Sequence, residues 1–229
     1  LRQNQGILTF WSAAWWRVMI NHLKSFVLLV ALTLVLAGPA GSYPDSQSLS
    51  SSPAFVTGKL LVASPSMPGQ YFSQTVIVML RHDQAGAFGL VINRKGGEAT
   101  AAELARLLGD EPDKEEKGQG RRWPVLAGGP VEIAKLFMLH EGEWSTSGTL
   151  KGGRYAVSSP PPVMEAEAKG EGPRQGALVF GYSGWGPGQL EGELARRDWL
   201  VVEADDDLVF GPDYEGKWKR AVGKHGVDL

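Results

Sequence analysis

The stretch Gly181–Leu200, GYSGWGPGQLEGELARRDWL, joins a strand end, a glycine turn, a helix and the start of another strand. Gly184, Gly186 and Gly188 alternate with Trp185 and Pro187, so the backbone can turn where side chains would clash. Pro187 suits the first turn of a helix whose apolar stripe is Leu190 with Leu194. On the exposed side, Glu193 and Arg197 stand four apart in the favourable order for an ion pair. Trp185 then reads as the hydrophobic plug of a packed corner. The competing reading seats an anion on free amides at the helix N-terminus, although Pro187 supplies none.

Three sharper motifs fail on these residues. A nucleophile elbow needs glycine two residues to either side of the serine, and around Ser183 these positions hold Gly181 and Trp185. A dinucleotide fingerprint needs G-x-G-x-x-G, whereas Gly184, Gly186 and Gly188 give G-x-G-x-G. The chain also lacks the phosphate-loop pattern G-x-x-x-x-G-K-[ST].

Downstream, Trp199 to Glu203 and Leu208 to Phe210 are read as strands, Asp205 to Asp207 as a solvated turn between them, and Tyr214 to Val222 as a helix. The acidic turn lacks the pattern of a calcium loop. Upstream, Gln175 to Ser183 is a strand, and Val163 to Lys169 is a short helix entered through Pro160–Pro162 and stopped by Gly170 and Gly172. Earlier come strand candidates at Gly58 to Ser64, Thr75 to Leu80, Ala87 to Asn93, Val125 to Leu126, Leu136 to His140 and, more weakly, Arg154 to Val157. Thr100 to Leu108 has the capping box Thr100 and Glu103 and a Leu104, Leu107, Leu108 face, so it predicts a helix ended by Gly109. Asp110 to Arg122 reads as a solvated, charge-mixed loop. Strands cluster with helices between them and no regular βαβ rhythm, which predicts a mixed α+β fold.

The folded domain is expected over 55–229, after a Ser/Pro-rich linker at 42–54. Before it, Met19 is a candidate initiator followed by Lys24, an apolar run Phe26 to Ala37, and small residues to Gly41. That order predicts a signal peptide at 19–41, cleaved after Ala40 or Gly41, within an N-terminal extension 1–41. The run is short for a bilayer span, so the membrane is a partner only if this segment stays uncleaved. The 229 residues are 43% hydrophobic, enough for one well-packed domain. Arg2, Arg17 and Lys24 are the only charges before residue 41; removing them from 23 basic residues leaves 20 against 25 acids, which disfavours general nucleic-acid binding. With no cysteine, disulfides, thiolate chemistry and cysteine-bound metals are excluded. His82 beside Asp83 and His140 beside Glu141 are adjacent on strands, face opposite ways, and do not repeat at ligand spacing. No cofactor or metal is expected.

Several long motifs nevertheless occur in one order: GKLLVASPSMPGQYFSQTVIVMLRHD, GAFGLVINR, LAGGPV, FMLHEG, GEGPRQGALVFGYSGWGPGQLEGELARRDWL and KWKRAVGKHGVDL. Together they resemble the AlgH/YqgE family of bacterial proteins over Gly58 to Leu229. The resemblance implies an α+β fold whose mixed, largely antiparallel sheet curls into a pseudo-barrel flanked by helices. It implies no established activity; members are described as uncharacterised or, loosely, as transcriptional regulators. Matching signature positions are Ser64, Pro65, Asn93, Arg94, Gly128, Gly129, Pro130, His140, Gly181, Tyr182, Gly184, Trp185, Gly186, Pro187, Gly188, Gln189 and Leu190, and none carries a catalytic role. Two features depart from the family: the signal-like segment, which sets periplasmic export against the cytoplasmic location the resemblance implies, and the prolines before Val163.

The first functional reading is a non-enzymatic binding or regulatory protein whose protein or small-molecule partner meets the glycine-rich corner and neighbouring loops. Its candidate residues are Ser64, Asn93, Arg94, Gly128, Gly129, His140, Tyr182, Ser183, Gly184, Trp185, Gly186 and Gln189. One alternative is a hydrolase with Ser183 as nucleophile and His82 or His140 as base. The other is a transcriptional regulator, against which stands the lack of a helix-turn-helix with a basic recognition helix.

Overall fold

The computed structural model describes residues 55–100, Glu103, Arg106 and 120–226, all within the compact unit Ser51–Leu229. The signal-like segment, the linker, most of the expected 100–108 helix and most of the 110–122 loop lie outside the described residues.

Among the described residues ten strands form one mainly antiparallel sheet: β1 (Leu60–Ala63), β2 (Val76–Asp83), β3 (Gly86–Val91), β4 (Lys95–Thr100), β5 (Arg122–Ala127), β6 (Val131–Glu141), β7 (Leu150–Gly152), β8 (Tyr155–Ser158), β9 (Gly176–Trp185) and β10 (Trp199–Val202). Helices α1 (Pro160–Ala168), α2 (Gln189–Ala195), α3 (Asp206–Phe210) and α4 (Lys217–Lys224) complete an α+β architecture. The strand order is β10-β1-β2-β3-β9-β6-β8-β7, with β4 on β5 and β5 parallel to β9. The sheet curls until β7 packs against β2. No ladder joins the ends β10 and β7, so the implied pseudo-barrel is an open sheet.

The apolar run LLVA of β1 is buried on both faces. Leu60 and Val62 enter a core with Leu90, Leu139, Val179 and the residues of α3 and α4, while Leu61 and Ala63 face Trp185, Leu190 and Trp199. A third cluster sets Val163 of α1 against Trp123, Met138 and Leu178. β9 is the pivot. Its first half lies between β5 and β6 (Leu178 opposite Val125 and Met138), and its last residues pair with β3 (Trp185 opposite Ala87).

Three local expectations change, and β4 forms where none was stated. Leu208–Phe210 is helix rather than strand, because Asp205 accepts the Leu208 amide at 2.8 Å as an N-cap and Asp206 and Asp207 occupy the first turn. The helix expected at Tyr214 begins at Lys217, behind a turn in which Gly216 N donates to Asp213. α1 begins at Pro160, so the three prolines form its first turn instead of preceding it. β4, KGGEAT, has no apolar alternation to announce it, and forms by pairing with β5. The capping box itself is present: Glu103 N donates to Thr100 Oγ1 at 3.1 Å, and Thr100 N to Glu103 Oε2 at 2.8 Å.

Candidate functional site

At the corner between β9 and α2, Trp185 is 7% exposed and packs edge-on to Trp199. Both indole N–H groups donate to Glu193 Oε2 at 2.8 Å, and Gln189 Nε2 donates to Glu193 Oε1 at 3.1 Å. Gly186 N donates to Gln189 Oε1, which closes the turn. The plug reading of Trp185 therefore acquires a polar centre, a carboxylate shared by two tryptophans. The expected Glu193–Arg197 pair does not form, because α2 ends at Ala195 and Arg197 has φ 62°. Pro187 also lies outside the helix: Gly188, at φ 73°, is its N-cap. With seven residues and this internal network, α2 offers no anion site.

Other candidates hold the framework together. Asn93 accepts from Val76 N at 2.9 Å and donates to Gln74 O at 2.8 Å. Arg94 donates to Thr75 Oγ1 and the Tyr71 carbonyl and lies over the Tyr71 ring; burial pulls its pKa below the ordinary value. Ser64, 6% exposed, contacts the Ser66 hydroxyl. Gly128 and Gly129 let the chain after β5 press backbone to backbone on β9: a Cβ on Gly129 would stand 2.1 Å from the Tyr182 carbonyl.

The structure does not assemble the expected serine–histidine pairs. Ser183, 1% exposed, donates to Gly128 O at 3.3 Å. His82 accepts the Val56 amide on Nδ1, and its Nε2 lies 3.3 Å from Glu191. His140 does meet a serine, but it is Ser158. The hydrogen bonds run in one direction, from Thr146 N to Thr149 Oγ1, to Ser158 Oγ (2.7 Å), to His140 Nε2 (2.9 Å), while Nδ1–H donates to Glu141 O. Burial lowers the His140 pKa, so the ring is neutral at neutral pH. The helix that follows Ser158 starts with Pro160, Pro161 and Pro162, which have no N–H to stabilise an oxyanion. The Thr149, Ser158 and His140 side chains thus satisfy one another, with the Glu141 carbonyl at the far end. Among the described residues no group of three or more His, Asp or Glu could hold a metal ion.

Tyr182, Gly184 and Trp185 come together elsewhere, along a groove of about 690 Å³. Its floor is aromatic. Phe88 of β3, Tyr182 of β9 and Phe137 of β6 sit on neighbouring strands, with centroids 5.1 Å apart for Phe88–Tyr182 and 5.8 Å for Phe88–Phe137. All three rings are half-buried. Arg81 and Lys135 stand at the rim, and Ser158 and Ser159 belong to the wall. No motif in the sequence singles out Phe88, Phe137, Arg81 or Lys135. AFGLVIN and LFMLH show alternation, yet alternation alone does not say which face meets solvent.

Comparison with known proteins agrees with this fold. A family model described as AlgH-like matches residues 60–229. A UPF0301 protein of Methylococcus capsulatus is 39% identical over 178 residues, covering 77% of this chain and 94% of that protein. Another, from Gluconobacter oxydans, is 39% identical over 170 residues, with 73% and 89% covered. The solution structure of the AlgH protein from Pseudomonas aeruginosa superimposes with a TM-score of 0.63 at 36% identity, covering 78% of this chain and 93% of that one. A Corynebacterium diphtheriae crystal structure, at 20% identity and TM-score 0.52 over 72% and 86% of the two chains, shares the fold alone.

Proposed function

We propose, from the premise that this chain belongs to the AlgH-like family, that it is a non-enzymatic binding protein whose contact surface is the groove over Phe88, Phe137 and Tyr182. One observation carries the reading: three half-buried aromatic rings on adjacent strands floor a concavity of about 690 Å³, within the size range of small-molecule sites. The surface adjoins the glycine-rich corner but does not include its turn. Gly186 and Gln189 serve the Glu193 network, whereas Tyr182, Gly184 and Trp185 reach the groove.

The test is binding of a neutral aromatic dye, phenylnaphthylamine, followed by fluorescence. Phe137→Ser and Tyr182→Ser should each weaken it about tenfold, the scale of a lost stacking partner. Unchanged affinity in both variants would remove the groove as the binding surface. A fluorophosphonate label lost in Ser183→Ala or Ser158→Ala would restore the hydrolase alternative. Duplex-DNA binding with a steep inverse salt dependence would favour the regulator alternative. Export directed by 19–41 belongs to the same proposal, and a protein recovered from cytosol with an N-terminus at or before Met19 would contradict it.

A further inference from the structure

The groove is lopsided in charge. Arg81 and Lys135, both exposed, line it, and among the described residues no carboxylate does. The chain carries 25 acidic against 23 basic side chains, so this local excess does not follow from composition. Each cation has a surface partner outside the lining: Arg81 Nε is 3.8 Å from Asp83, and Lys135 Nζ is 2.9 Å from Glu132. Exposed pairs of this kind are weak, so either cation can turn towards a ligand at little cost.

Charge and ring are also adjacent. Lys135 Nζ lies 5.6 Å from the centroid of the Phe137 ring, which is perpendicular to Tyr182 and 6.1 Å from it. Phe88 and Tyr182 tilt by 41°, so the floor offers both ring faces and ring edges. A ligand that satisfies rim and floor together needs a flat apolar body with a negative group attached directly to it. An aliphatic chain would leave the ring faces without a stacking partner, and a neutral ring would leave the cations in their surface pairs.

Resting on the groove reading above, we propose that the ligand is a planar aromatic ring bearing an anionic substituent, held by Arg81 and Lys135 over Phe88, Phe137 and Tyr182. Two dyes with the same ring system test it on the full chain: anilinonaphthalene sulfonate, which is anionic, and phenylnaphthylamine, which is neutral. The sulfonate should bind more tightly. Arg81→Gln and Lys135→Gln should each weaken it by about two- to fivefold, weaken the neutral dye by less, and leave the urea midpoint unchanged because both side chains are exposed. Added salt should narrow the gap between the dyes. Naphthoate or adenosine monophosphate should displace the sulfonate, and whichever does so tells a carboxylate from a phosphate ligand. If the neutral dye binds as tightly as the sulfonate, or if neither competitor displaces it, the anionic class is wrong while the groove stands. If neither Phe137→Ser nor Tyr182→Ser alters either dye, the groove reading itself has failed.

Discussion

Glu193 shows how one side chain can change meaning between sequence and fold. On a helical wheel it is half of a surface ion pair; in the structure its carboxylate joins the Trp185 and Trp199 indoles. Glu193→Ala should leave two indole N–H groups without their acceptor. At about 1–3 kcal/mol for each of the two orphaned groups, we expect a loss of about 2–6 kcal/mol in urea unfolding, and a smaller loss for Glu193→Gln, whose amide oxygen still accepts. A change below about 0.5 kcal/mol, the size of an ordinary surface substitution, would refute the clamp. Lys217 is the second telling residue. It is fully buried, donates to Val209 O at 2.8 Å and lies 4.7 Å from the Tyr214 ring centroid. Burial, helped by Arg220, pulls its pKa down to about 8. Below that pH both folded and unfolded states hold the proton, so its contribution is constant. Above it the folded state loses the proton first, and stability rises until the unfolded lysine titrates near its ordinary value. Wild type should therefore gain stability relative to Lys217→Met between about pH 8 and 10, by up to about 3 kcal/mol. Parallel pH profiles for the two proteins would rule this out.

Among the elements, those that can be read in the sequence are the ones whose own composition decides them. LLVA and VIVML are apolar enough to be strand whatever surrounds them, and they are buried on both faces. α3 is the opposite case. LVF has strand composition, yet Asp205 caps it into a helical turn. Asp205→Ala should cost about 1 kcal/mol, measured by chemical denaturation, since the Leu208 amide then loses its acceptor. An unchanged midpoint would mean that packing of Leu208 and Val209, rather than the cap, holds the turn. β4 could not be read because KGGEAT gains strand geometry only from its partner β5. The groove had the same difficulty. Phe88 and Phe137 were legible as strand residues, but their shared floor exists only once β9 lies between β3 and β6.

In the whole molecule, β9 ties both halves of the sheet together, so protection should be graded outward from it. Amides of Leu178–Phe180, with strands on both sides, should be among the slowest in hydrogen exchange, and those of Gly97–Ala99 on β4, which among the described residues pairs with β5 alone, among the fastest. Equal protection of the two segments would show that something covers the β4 edge. The sequence by itself determined the family, the α+β class, most strands, the capping box at Thr100 and the buried plug at Trp185. All of these rest on local pattern: apolar runs, turn glycines, caps and long motifs in one order. Only the tertiary structure decided that Ser158 rather than Ser183 meets His140, that Glu193 turns inward, that the sheet stays open, and that three aromatics and two cations share a groove. Those outcomes depend on strand register and pairing across Ala87–Trp185 and Phe137–Val179. A period of two fixes which residues alternate, while the neighbouring strand fixes which face reaches water.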